Sequence, residues 1–404
     1  MPAFEDLQPA VTTASASMAG EIEVSIVMPC LNEASTVAAC IKKAQDTLRG
    51  AGVAGEVIVA DNGSTDGSPA IAKAVGARVV AVPERGYGNA LMGGIEAARG
   101  RYVIMADADE SYDFGEITKF IAKLRTGYAL VQGCRLPSGG GHVLPNAMPP
   151  LHRWFGNPLF SVLARLWFRT GVHDINCGMR GLTVDLYRRL DLRCTGMEFA
   201  TEMIIKASLY RERLAEVPIT LHPDGRIDHP PHLRTFRDGW RTLRLYLLLT
   251  PRWLFLLPGA VLVLLGLVGY GIALPGLTIG RATVGVHTLL YASLLILVGQ
   301  QAISFALLTK AFAVGEGLLP VDPRTARFFQ VATLERGLVL GVAFALVGLV
   351  LLASTAIEWW SVGFGPLDYA RTMRWAIPGA TAMALGVQIV LASFFASILG
   401  LRRR

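Results

Sequence analysis

The sequence predicts an α/β domain built on a mostly parallel sheet, followed by amphipathic helices and a membrane domain of four helices. Three observations carry that expectation. Short β-branched runs alternate with helical patterns between Val24 and Val131, as in successive βαβ units. Two of the runs stop abruptly in acidic and turn residues, and open α/β sheets bind ligands just beyond the carboxyl ends of their strands. After Arg252 long apolar stretches take over, and a chain that is 52% hydrophobic and 17% charged is too apolar for an ordinary soluble protein.

Residues 1–22 are polar, rich in Ala, Ser and Thr, and lack the apolar core of a secretory signal, so a disordered extension is expected. The α/β domain then spans 23–231. Val24–Met28, Val57–Ala60, Arg78–Val82, Tyr102–Ala106 and Ala129–Val131 read as strands, and Ser35–Leu48, Ser68–Val75, Ala90–Arg99 and Gly115–Leu124 as the helices between them. Pro137–Pro150 is rich in Gly and Pro, has no period and reads as a mobile loop. Asn157-Pro158 reads as an N-cap with proline at the first helical position, opening a helix to Phe168 that carries Arg165.

An interface helix is expected within 232–252. Leu233, Phe236, Trp240, Leu243 and Leu247 share one face, with Arg234, Arg237, Arg241 and Arg244 beside them, the pattern of a helix lying in a membrane interface. The membrane domain, 253–404, has spans at about 254–274, 286–308, 338–357 and 376–399, each long enough to cross a bilayer. Lys310, Arg324, Arg327, Arg336 and the terminal Arg402, Arg403 and Arg404 fall on one side. Arg281, Arg371 and Arg374 fall on the other, so the positive-inside rule puts the α/β domain and both termini in the cytoplasm of a multi-pass cell-membrane protein. Trp359, Trp360 and Trp375 would sit in the opposite interfacial belt.

The net charge of +7 comes without an aromatic-basic nucleic-acid module, so no nucleic-acid partner is expected; an anionic bilayer surface or a phosphorylated ligand explains it better. The five cysteines include no Cys-x-x-Cys, which argues against a disulfide framework or a zinc site and fits a reducing compartment.

The chemistry concentrates at Asp107-Ala108-Asp109 and at Asp61-Asn62-Gly63-Ser64-Thr65-Asp66-Gly67. Two carboxylates after a buried strand suit Mg²⁺ or Mn²⁺ shared with a substrate's phosphates. An EF-hand reading of the stretch from Asp107 fails, because Tyr112 stands where the loop needs glycine and Thr118 where it needs Glu. Gly86-Tyr87-Gly88-Asn89-Ala90 is a weak dinucleotide signal, since Leu91 replaces the third glycine and the segment does not follow the first strand.

Val24–Glu33, Asp61–Gly67, Gly86–Ala90 and Asp107–Asp109, in that order, resemble the signatures of family 2 glycosyltransferases with the GT-A fold, over about residues 22–230. The polyprenyl-phosphate group, the dolichol-phosphate mannose and glucose synthases, is the nearer likeness. The resemblance implies that Asp109 ligates the metal bridging the donor's phosphates and that Asp107 contacts the sugar-nucleotide beside it. It implies that Pro29, Asn32, Glu33, Asp61 and Asn62 hold base and ribose, with Ala108 part of the same donor site. Uracil and guanine both remain open, because both present N–H donors. Many relatives have Gln as a further metal ligand where this chain has Ser111. The stretch His173–Arg180 would line the sugar pocket, the glycines of Gly86–Ala90 would be structural, and Glu198 and Glu202, one helical turn apart, are candidate donor contacts.

A lipid phosphate is already ionised near neutrality and needs no general base. Arg135, His152 and Arg153 are therefore expected to orient an acceptor phosphate. The implied activity is inverting, metal-dependent transfer of glucose or mannose from UDP- or GDP-hexose to polyprenyl phosphate. Transfer to another membrane lipid, polysaccharide synthesis, or a nucleotide-sugar-binding glycolipid transporter are the alternatives, and homo-oligomerisation is left open.

Overall fold

The computed structural model describes residues 21–226, 234–276, 278–279, 282–320, 327 and 333–400. The chain divides into two compact units, Met1–Asp238 and Gly239–Arg404. Residues 1–20 of the expected disordered extension, Leu233 of the interface helix, and Arg281, Arg324 and the terminal arginines lie outside the described residues.

In the first unit β1 (Val24–Cys30), α1 (Val37–Gly50), β2 (Gly55–Asp61), α2 (Ser68–Ala74), β3 (Arg78–Ala81), α3 (Tyr87–Glu96) and β4 (Tyr102–Met105) alternate as the periodicity requires. There follow α4 (Ile117–Arg125), β5 (Leu130–Cys134), β6 (His142–Val143), α5 (Asn157–Phe168), β7 (Arg180–Thr183), α6 (Val184–Leu190), α7 (Phe199–Leu209), β8 (Leu214–Pro218) and β9 (Thr220–Leu221). Seven strands form one sheet in the order β3-β2-β1-β4-β7-β5-β8. Its pairings are parallel except where β7 runs antiparallel between β4 and β5.

Helix periodicity explains the layers. Val37, Cys40, Ile41, Ala44 and Leu48 make the buried face of α1, and Ile117, Phe120, Ile121 and Leu124 that of α4, both packed into the core with the apolar strands. The antiparallel β7 matters for function. Its first residue, Arg180, pairs with Met105, the last of β4. The turn before β7 is thereby brought to the sheet edge from which Asp107 and Asp109 emerge.

Two expectations change here. Pro137–Pro150 is tethered, because β6 within it pairs in parallel with β9, His142 opposite Thr220 and Val143 opposite Leu221. Asn157 is no N-cap. It has helical φ −64 and ψ −43, and the chain is already helical from Pro150 through a π-helical turn at His152–Gly156. The Asn157 N–H reaches back to the His152 carbonyl across that wider turn, just ahead of Pro158, which has no N–H to give. The same device recurs at Arg252–Leu256, one residue before Pro258.

In the second unit four helices are long and apolar enough to cross a membrane: Arg252–Ala273, Val286–Gly315, Leu334–Ser361 and Tyr369–Leu399. They overlap the four spans expected from hydropathy, and each is longer than its span, by one residue in the first and by seven or eight in the others. Glycines let them approach closely: a Cβ on Gly348 would stand 2.4 Å from the Met383 nitrogen, and one on Gly341 2.8 Å from the Gly386 carbonyl oxygen. The Tyr270 hydroxyl ties three of the helices together, 2.6 Å from Ser293 Oγ and donating to Thr381 Oγ1 at 3.0 Å. Trp359, Trp360 and Trp375 are exposed. The arginine-rich helix expected near the boundary spans Thr235–Leu249, with Phe236 and Trp240 exposed.

Candidate active site

The loops after β1 and β2 are stitched to each other. Asn32, with φ 61, donates its N–H to Ser64 Oγ at 2.9 Å and accepts from the Thr65 N–H at 2.8 Å through its side chain. The Glu33 N–H donates to Ser68 Oγ, and the Ala34 N–H to Asp66 Oδ2. Pro29 lies in β1 opposite Ala60, one register step before Cys30 meets Asp61. Asp61 closes its own turn by accepting from the Gly63 and Ser64 N–H groups. The Asn62 amide is fully engaged with the loop after β3: it donates to the Val82 and Glu84 carbonyls and accepts from the Gly86 N–H. That makes Asn62 a pin between two loops, in place of the expected base or ribose contact.

Asp107, Ala108 and Asp109 leave the end of β4. The Ala108 carbonyl accepts from Thr36 Oγ1 at 2.7 Å, which fastens the segment to the start of α1. Tyr87 Oη donates to Asp107 Oδ1 at 2.9 Å. Burial, and then the Asp109 carboxylate, push Asp107 up to about 7 against the opposing pull of Tyr87 and Arg226. Ser111, which stands where relatives place a ligand, donates both its N–H and its hydroxyl to Asp109 Oδ1 and so orients that carboxylate.

Arg226 was not legible as a site residue, yet it sits at the centre. Its guanidinium is bidentate to Glu33 at 2.7–2.9 Å, 3.0 Å from Asp109 Oδ2 and 2.7 Å from Asp224. Burial works against its charge, but Glu33, Asp109 and Asp224 more than offset that and hold Arg226 above the usual arginine range. The Glu33 carboxylate, expected on a ribose hydroxyl, is occupied by this arginine. No short-range pattern marks Arg226, because 193 residues separate it from Glu33.

The donor set fits a hard divalent cation. Burial, with the neighbouring Asp109 carboxylate adding to it, raises Asp107 to about 7, and a dication relieves both. Gly178 packs closely against Asp107, as only glycine can: a Cβ there would lie 2.9 Å from Asp107 Oδ2 and 3.0 Å from Tyr112 Oη. Among the described residues no third His, Cys, Asp or Glu joins the pair, and Mg²⁺-type sites commonly hold one or two carboxylates with substrate phosphates and water.

Other expected residues are placed differently. The Arg135 fork, assigned to an acceptor phosphate, is bidentate to the fully buried Asp174 at 2.7 and 2.9 Å, which leaves Nη1 near Tyr112 Oη. Glu202, a candidate donor contact, is also spent internally: it pairs with Lys206 at 2.8 Å and accepts from the Arg193 and Cys194 N–H groups. Glu198 keeps a buried carboxylate oxygen with no hydrogen-bond partner among the described residues, close to Gly196.

His152 and Arg153 stand on the π-helical turn ahead of α5. His152 Nε2 is 2.9 Å from Thr235 Oγ1, and burial together with the Arg135 charge lowers its pKa. Arg153 lies over the Trp154 ring and lines a cavity of about 350 Å³ with Asn146, Met148, Pro149, Pro150 and Trp154. Its buried Nε has no hydrogen-bond partner among the described residues. Along the same helix Leu151, Trp154, Phe155, Val162 and Leu166 form an exposed apolar stripe.

The chain is 38% identical over 379 residues to the low-salt glycan biosynthesis hexosyltransferase Agl6 of Haloferax volcanii, which covers 93% of this chain and 89% of that protein. The chain belongs to glycosyltransferase family 2. Residues 25–191 match the family 2 glycosyl transferase model, and residues 307–400 match the family 2 C-terminal transmembrane region. A dolichyl-phosphate hexose transferase of the same organism is 30% identical over 198 residues, 49% of this chain and 82% of that one. A solved glucosyl-3-phosphoglycerate synthase from Mycobacterium tuberculosis, crystallised with Mn²⁺, UDP-glucose and phosphoglyceric acid, is 25% identical. It covers 57% of this chain and 79% of its own, with a TM-score of 0.44. This family 2 enzyme is thus a membrane glycosyltransferase with a GT-A-like mixed sheet.

Proposed function

We propose that this glycosyltransferase moves a hexose from UDP- or GDP-hexose to polyprenyl phosphate on the cytoplasmic leaflet, with inversion and with Mg²⁺ or Mn²⁺ held by Asp107 and Asp109. The observation that carries the acceptor class is Arg153. An arginine whose Nε has no hydrogen-bond partner among the described residues lines a cavity, and an exposed apolar stripe leads away from it along α5. That pairing of cation and apolar track fits an anionic head on a long hydrocarbon tail. The dolichyl-phosphate hexose transferase among the relatives supports the same acceptor.

The chemistry needs few groups. A phosphate oxygen of the acceptor attacks the anomeric carbon from the face opposite the leaving diphosphate; the new C–O bond forms as the bond to the nucleotide diphosphate breaks. The acceptor phosphate is already ionised, so no protein base is required. Asp107 and Asp109 would hold the cation, which neutralises charge on the leaving diphosphate when bound. Arg226, released from Asp109, supplies a second positive charge from the protein itself. His152 and Arg153 orient the acceptor, Glu198 faces the sugar, and Asp61 accepts from a nucleobase N–H.

Purified enzyme given a panel of nucleotide-sugars with polyprenyl phosphate should release nucleotide and yield a lipid with the mass of polyprenyl-phosphate hexose. A product built on diacylglycerol or a growing glycan would overturn the acceptor assignment. Arg153→Ala should raise the KM for polyprenyl phosphate about tenfold or more, the usual cost of a lost hydrogen bond to a charged group, with the donor KM unchanged. Equal effects on both substrates would remove Arg153 from the acceptor site. Asp61→Ala should weaken nucleotide binding by about 1.5–3 kcal/mol, and calorimetry showing unaltered affinity would refute its contact with the base.

A further inference from the structure

We propose that Tyr87 is the positioning residue of the Asp107–Asp109 pair, and that the Gly-Tyr-Gly segment exists to aim its hydroxyl; this rests on the metal and donor reading above. Tyr87 is the first residue of α3, and that helix start is pinned from two sides. On one side Asn62 Oδ1 accepts from the Gly86 N–H at 2.8 Å. On the other the Thr195 carbonyl accepts from the Gly88 and Asn89 N–H groups at 2.9 and 3.3 Å, which caps α3 with a backbone oxygen from a distant loop.

Only glycine permits that approach. A Cβ on Gly86, where φ is 143, would stand 2.3 Å from the Thr195 oxygen, and one on Gly88 2.3 Å from the Cys194 oxygen. Both obstacles are backbone and cannot swing aside. The Thr195 loop is in turn held from the interior. Glu202 Oε2 accepts from the Arg193 and Cys194 N–H groups, Glu202 Oε1 pairs with Lys206, and Lys206 Nζ donates to the Asp191 carbonyl at 2.6 Å. A buried ion pair on α7 therefore fixes a loop, the loop fixes the start of α3, and α3 delivers Tyr87 Oη to Asp107 Oδ1.

The consequence is directional. With Oδ1 held by the tyrosine, Oδ2 is the oxygen of Asp107 left to meet a cation. Tyr87 thus acts through Asp107.

Tyr87→Phe removes one oxygen and leaves the ring in place. In calorimetric titrations with MnCl₂ plus UDP, or MnCl₂ plus GDP, whichever the wild type binds more tightly, the variant should lose on the order of tenfold to a hundredfold in affinity. Its kcat should fall by a similar factor and its melting temperature should hold. In an Asp107→Asn background the same change should cost nothing further, because the two side chains form one unit. Wild-type metal–nucleotide affinity in Tyr87→Phe, or losses that simply add in the double variant, would overturn the assignment. If the wild type's nucleotide affinity proves indifferent to Mn²⁺, the metal reading fails on its own. The cycle, run on metal-free nucleotide, then still decides whether Tyr87 works through Asp107.

Discussion

Asp109→Ala is expected to cut hexose transfer on the order of a thousandfold, at the upper end of what losing one preorganised electrostatic group costs an enzyme. The same loss should follow exhaustive chelation of the wild type. Asp109 is buried beside a second carboxylate that its own charge helps lift to about 7, so it is one of the two groups that make this sheet edge attractive to a dication. The fold should survive the change. Arg226 would keep its contacts with Glu33 and Asp224, and Asp107 would lose a repulsive neighbour. Unfolding of the purified variant should therefore occur near the wild-type temperature while product, measured by mass, disappears. Wild-type turnover undiminished by chelation would sink the metal assignment, and a melting temperature that falls with activity would make Asp109 a structural residue.

The parts of the site that lie on one short segment were legible, and the parts that depend on long-range pairing were not. Strand ends announce themselves: Tyr102–Met105 is fully buried and the next residues are acidic, so Asp107 and Asp109 fall at a sheet edge by pattern alone. The βαβ alternation was equally plain up to β5. The antiparallel β7 was not read as a strand, because a four-residue run opening on a fully buried arginine carries no apolar signal. Arg226 reaches Glu33 only through the fold. Glu202 reads in sequence as a donor contact beside Glu198, whereas in the fold Lys206, one turn on, neutralises it in the interior. Polar residues near a motif read as ligand contacts in sequence; whether the protein's own groups already satisfy them is a question of three-dimensional partners.

Arg135 is the sharpest instance, and Arg135→Ala should destabilise the catalytic unit by about 3–5 kcal/mol, the usual cost of stripping one partner from a buried ion pair. Asp174 is fully buried, and its carboxylate accepts from Arg135 Nε, Nη2 and backbone N–H. Removing the guanidinium leaves that charge with the backbone N–H alone. The turn that carries Asp174 is otherwise well anchored: Glu216 accepts from the His173 and Asp174 N–H groups, and Gln132 donates to the Asp174 carbonyl. Strain from the orphaned carboxylate should therefore pass to Gly178, which belongs to the same turn and packs against Asp107. A marginally stable domain has about 5–15 kcal/mol in hand, so the variant should melt well below the wild type and lose donor and acceptor use together. Replacing both partners with apolar residues of similar shape should recover much of the melting temperature. An arginine that received the lipid phosphate would behave otherwise: its loss would raise the KM for polyprenyl phosphate selectively and leave the melting curve where it was. Bidentate pairing at 2.7 and 2.9 Å inside the protein points to the first outcome.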